Sequence, residues 1–331
     1  MKSTISRRSA LIATTSVALG FPALVAAQTR KPVRPLRASW DSFWFSTHIA
    51  KEGLERLGYS MDEPRVMTPA AMMQALAQGD ADFTMDVVMP GATPVYTAVK
   101  DKVSLLGPTV KPGSVTGYLI DKATSEKHGI KLITDLKDQK NAALFAEGMD
   151  KRARMIGPGA GWNDEKKALD DMQRLGLKDT VNLVTGEYAA MVADVVSRYK
   201  AGKPVLLYAW FPNVATMELI PGRDLVFLEE TGANPEFAFR DVPGCASGQA
   251  VCNTGWSPTA YYTAANTEWM NQNKAAARFL GAMRMTLQDR ISQNLLMVKG
   301  EKRERDLARH ATDWIKSNQK TFDAWVDTAR A

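Results

Sequence analysis

The stretch 186–213, GEYAAMVADVVSRYKAGKPVLLYAWFPN, constrains this chain most. Tyr188, Met191, Val192, Val195 and Tyr199 recur at three- and four-residue steps, which puts them on one face of a helix. Gly202 stands where the end of that helix calls for a left-handed residue. After Pro204, the run 205–209 (VLLYA) is apolar without alternation, as in a strand buried on both faces. Trp210 follows at the carboxyl end of the strand, and Pro212 stops further pairing. Ligands of open α/β sheets bind just outside the carboxyl ends of strands. Trp210 is therefore predicted to wall a pocket.

The rest of the chain alternates in the same way, which predicts an α/β fold. A strand is expected over 33–40, a helix over 47–57 ended by Gly58, and a second helix with Thr68 as N-cap and Pro69 as its first residue. Strands are expected at 83–88, at 103–108 and 117–120 as two separate pieces, and at 261–266. The loop 157–163 (GPGAGWN) enters a helix capped by Asn163, with Asp164 and Glu165 in its first turn. From Met270 the chain reads as helical, with Phe279, Leu280, Met283, Met285, Trp314, Phe322 and Trp325 as its buried stripe.

The residues at 186–213 also carry a resemblance. Tyr188, Ala189, Ala190, Met191, Ala193, Asp194, Ser197, Arg198, Tyr199, Lys200, Gly202, Lys203, Pro204, Val205, Trp210 and Pro212 match the helix-to-strand segment of a known family. The chain resembles the glycine betaine/proline betaine-binding proteins of bacterial ABC uptake systems, over roughly 36–325. The resemblance implies a two-lobe periplasmic binding protein fold, a clamshell with two crossing segments. Residues 28–117 plus 256–331 would form lobe 1 and 118–255 lobe 2, with crossings near Gly117-Tyr118 and 255–261. It implies capture of a small quaternary ammonium solute by lobe closure, and delivery to a membrane permease driven by an ATPase.

Such a cation cannot donate a hydrogen bond and is held by aromatic faces. Trp40 and Trp210, one per lobe, are the leading pair; choline-binding relatives have a Trp at a similar distance from the Leu-Gly-Tyr seen here at 57–59. The family loop Asn-Pro-Gly-Trp-Gly-Cys matches at Pro158, Gly159 and Gly161, so backbone amides of Gly161 and Trp162 are expected to hold a ligand carboxylate. Two family cage Trp positions are Val88 and Ala160 here, and the family His position is Ala92. Trp162, Trp44, Phe43 or Tyr118 would have to substitute, and Asp86 and Asp41 could pair with a cationic or amino ligand. The altered cage leaves a different small amine or amino acid as the alternative ligand. A secreted enzyme would have only Asp41 and Asp86 to work with, and no paired catalytic carboxylates, nucleophile elbow or metal motif is present. No cofactor or metal is expected.

Lys2, Arg7 and Arg8 ahead of an apolar run, with a small-residue site at 25–27, read as an export signal over 1–27, of Tat-like or Sec type. Those three residues hold half of the net charge of +6, and the remainder is too mild and too evenly spread for nucleic acid. The mature chain is expected in the periplasm, as a monomer. In that oxidising compartment Cys245 and Cys252, the two cysteines, are expected to form a disulfide.

Overall fold

The computed structural model describes residues 31–240 and 242–331. The export signal predicted at 1–27 lies outside the described residues. Twelve strands are present among these: β1 Pro35–Arg37, β2 Arg65–Val66, β3 Phe83–Met89, β4 Val103–Asp121, β5 Ala146–Glu147, β6 Asp150–Gly159, β7 Val181–Gly186, β8 Leu206–Phe211, β9 Leu225–Phe227, β10 Ala238–Arg240, β11 Val251–Asn253 and β12 Thr259–Asn266. Ten of them join one sheet, with the path β2-β1-β3-β12-β4-β8-β6-β5, β7 beside β6 and β9 beside β4. The flanking helices make the fold mixed α/β, as expected. No described helix is long and apolar enough to cross a membrane.

β4 joins the two halves of this sheet. Its residues 103–114 pair antiparallel with β12, from Val103 opposite Asn266 to Ser114 opposite Thr259. Its residues 115–120 pair antiparallel with β8, from Val115 opposite Phe211 to Ile120 opposite Leu206. The sequence predicts two separate pieces here, 103–108 and 117–120. The structure corrects that: register shifts against β12 let the ladder absorb the prolines, which have no N–H to give. Gly107 (φ 114°) and Gly113 (φ 156°) take backbone angles that other residues rarely adopt.

The helix read at 186–213 spans Tyr188–Lys200, and the Glu187 carboxylate caps it by accepting from the Ala189 and Ala190 N–H groups. It buries Tyr188, Val192, Val195 and Val196, and Gly202 follows its end with φ 69°. In β8, Leu206, Leu207, Tyr208, Ala209 and Trp210 are all buried, which is why the run lacks alternation. The C-terminal fifth forms five helices from Thr267 to Arg330. Phe279, Leu280, Met283, Met285, Phe322 and Trp325 bury into a core with Phe43, Phe45 and Ile49, and Trp314 is partly buried beside them. One loop cross-link is present: Cys245 and Cys252 form a disulfide.

Candidate functional site

Trp40 follows the short β1, and its ring is turned inward by the single turn Asp41–Phe43 that leads into the helix Trp44–Arg56. Trp210 lies near the end of β8, on the same strand face as Tyr208 two residues earlier. Trp162 is the N-cap residue of the helix Asn163–Arg174, so Asn163, expected as the cap, is its first helical residue instead. Glycine at 159 makes room for the Trp162 ring, which would overlap any Cβ there.

These three indoles meet although up to 170 residues separate them. Trp40 and Trp162 pack edge to face with centroids 5.0 Å apart, and Trp162 and Trp210 do so at 5.9 Å. Tyr188 stacks on Trp210 at 5.4 Å. All three Trp line one cavity of about 40 Å³, together with Val88, Gly91, Asp164, Tyr208 and Tyr261. A single water needs roughly 10–15 Å³ by the same measure, so the space suits one compact headgroup. The Trp162 indole N–H donates to Ser39 Oγ at 2.9 Å, tying the loop before its helix to the segment after β1. The indole N–H groups of Trp40 and Trp210 are buried and have no partner among the described residues.

Among the described residues, Asp164 is the acidic member of this cavity's lining and no Lys, Arg or His lines it. Its carboxylate accepts a short hydrogen bond from the Tyr208 hydroxyl. Burial raises its pKa, against the pull of Tyr208 and Lys167. Burial, and then Asp164, pushes the Tyr208 hydroxyl well above the ordinary tyrosine value. Behind Tyr261 lies the fully buried Arg290, whose guanidinium sits 4.1 Å from the Tyr261 ring centroid and donates to Ser114 Oγ at 3.2 Å.

The other expected site residues are placed differently. Asp41 lines a second cavity of about 80 Å³ on the other side of Trp40 and Trp210, with Tyr188, Glu218 and Lys302, and burial raises its pKa. Asp86 is buried, accepts from the Ala38 N–H at 2.8 Å, and is not among the lining residues. Tyr118 turns away: its hydroxyl donates to Asp171 at 3.0 Å and its ring packs on Trp256. Phe43 packs on Tyr261, and the Trp44 ring stacks under Arg37. The expected carboxylate cradle is also occupied from within. The Gly161 N–H donates to the Glu165 carboxylate at 2.6 Å and the Trp162 N–H to the Gly159 carbonyl at 3.1 Å. Tyr208 and Asp164 line the cavity and Tyr188 stacks on Trp210, none of which the sequence predicts; for Tyr208 the signal is there, since alternation along β8 sets it on the Trp210 face.

Residues 31–317 match the family of substrate binding domains of ABC-type glycine betaine transport systems.

The chain belongs to that family. It is a substrate-binding domain of the ABC-transport class and not an enzyme. It is 34% identical over 305 residues to the glycine betaine-binding periplasmic protein OusX of Dickeya dadantii, covering 90% of each chain. It is 34% identical over 304 residues to the glycine betaine/proline betaine-binding periplasmic protein of Escherichia coli, again over 90% of each. Its fold is that of a solved choline-binding protein of an ABC transporter, in complex with choline, at TM-score 0.70 and 19% identity, covering 89% of this chain and 91% of the other. The substrate-binding domain thus has the two-lobe periplasmic binding protein fold.

Proposed function

We propose that this domain works outside the cytoplasm, where it captures a small quaternary ammonium solute and hands it to an ABC import permease. The observation that carries this is the meeting of Trp40, Trp162 and Trp210 around one cavity. Each desolvated ring attracts a cation by roughly 0.5–2 kcal/mol, and the rings need no hydrogen-bond donor from the ligand. Trp162, two residues after the family Trp position at Ala160, supplies the missing ring from the same loop. We assign residues 28–117 plus 256–331 to lobe 1 and 118–255 to lobe 2, because β4 changes partner between Ser114 and Val115 and β12 begins at Thr259. The Trp162–Ser39 bond and the Trp40–Trp162 contact then latch a closed form. The basic and apolar start of the chain and the periplasmic names of the relatives support export, and the protein acts as a monomer.

Calorimetry with glycine betaine, proline betaine, choline and carnitine tests the reading. At least one of the four is expected to bind, and Trp210→Ala to weaken it about tenfold or more, the loss of one strong ring contact. A flat titration with all four rejects the quaternary ammonium assignment.

A further inference from the structure

A zwitterion such as a betaine brings a carboxylate as well as a cation, and that carboxylate needs donors. The positive end of the helix Asn163–Arg174 is where an anion would go. Here the chain's own anion has taken the loop amide just before that helix. Glu165 folds back so that its carboxylate accepts from the Gly161 N–H at 2.6 Å, and the Trp162 N–H is spent on Gly159. Beside it, Asp164 presents a second carboxylate to the cavity itself. One Asp164 oxygen is held by Tyr208, and the other faces Gly91 across the cleft, 3.2 Å from where a Cβ would stand. Among the described residues no cationic side chain lines the cavity; Lys167, outside the lining, is the cation that acts on Asp164.

On the reading of this cleft as a quaternary ammonium site, we propose that it selects a ligand of net positive charge without a carboxylate, and that Asp164 is the residue that sets this preference. A ligand carboxylate would enter a space already facing Asp164, at low dielectric, where like charges repel strongly. A cation with a neutral hydroxyl arm would gain from the same Asp164 and from the indole faces together. The unpartnered indole N–H groups of Trp40 and Trp210 are neutral donors, enough for a hydroxyl oxygen but not a charge partner for a carboxylate.

Choline and glycine betaine test this directly, because they share the trimethylammonium group and differ in the arm. Titration calorimetry of the wild-type protein should show choline at least tenfold tighter. Asp164→Asn keeps an acceptor for Tyr208 and removes the charge; it should weaken choline at least tenfold and leave glycine betaine unchanged or tighter. Glu165→Gln, which keeps an acceptor for the Gly161 N–H, should narrow the ratio from the betaine side. Glycine betaine binding as tightly as choline to wild type would overturn the charge selection while leaving the aromatic site standing. A choline-to-betaine ratio unmoved by Asp164→Asn, with both affinities falling together, would reduce Asp164 to a packing role. Binding of neither would remove the site reading and this inference with it.

Discussion

Asp86→Asn separates the charge of a buried carboxylate from its hydrogen bond. Asp86 sits on β3 with 2% of its surface exposed. One oxygen accepts from the Ala38 N–H at 2.8 Å, and the other has no partner. Burial pushes its pKa from 3.8 up to about 7, against that hydrogen bond and the charges of Arg37 and Arg290. Between about pH 4 and 7 the native state therefore holds a proton that the unfolded chain has released. The contribution of this group to stability is full below about pH 4, falls through that window, and is flat above about pH 7. A shift of about three units is worth roughly 4 kcal/mol at 1.36 kcal/mol per unit. Asparagine offers an oxygen to Ala38 and carries no charge, so the variant escapes this loss. Urea unfolding at pH 4.5, 6 and 8 reads it: the variant should match wild type at the acid end and exceed it by up to about 4 kcal/mol at pH 8. Asp41 and Asp164 are raised by burial too, but both proteins carry them, so they cancel in the difference. Parallel pH profiles, or a variant less stable at pH 8, would refute the reasoning.

Two further perturbations address the frame of the site. Gly53, in the helix Trp44–Arg56, lies so close to the Phe279 ring that an alanine Cβ would overlap it. Gly53→Ala gains at most about 1 kcal/mol of helix propensity but overpacks a core contact at a cost of about 1–3 kcal/mol; a thermal melt should show net destabilisation, and a raised Tm would contradict the packing. Cys245→Ala together with Cys252→Ala opens a cross-link of sequence separation 7. The chain-entropy account assigns it roughly 2.5 kcal/mol, so the urea midpoint should fall by a corresponding amount, while an unchanged midpoint would mean that the loop is held by its other contacts.

Much of the architecture was legible because it rests on local patterning. The helix Tyr188–Lys200 and the buried β8 follow from apolar spacing, and Gly202 follows from the need for a left-handed residue after the helix. The continuity of β4 was not legible, because Pro and Gly weaken a strand locally, and only the partner β12 shows that bulges carry the ladder through.

By itself the sequence determined the helix Tyr188–Lys200, the buried β8 and the placing of Trp40 and Trp210 at strand ends, since these depend on residues a few positions apart. Only the tertiary structure decided what those residues meet. Trp162 is buried in the same core cluster as Trp40, and it closes against that ring from 122 residues away in the chain. Tyr118 could have faced the cavity, but Asp171 and Trp256 claim it. The Gly161 amide is a donor in any reading of the sequence; that Glu165 takes it depends on how a side chain folds back in space. Hydrogen bonds and ring contacts between distant residues are settled by packing, and spacing along a chain carries no record of which partner wins.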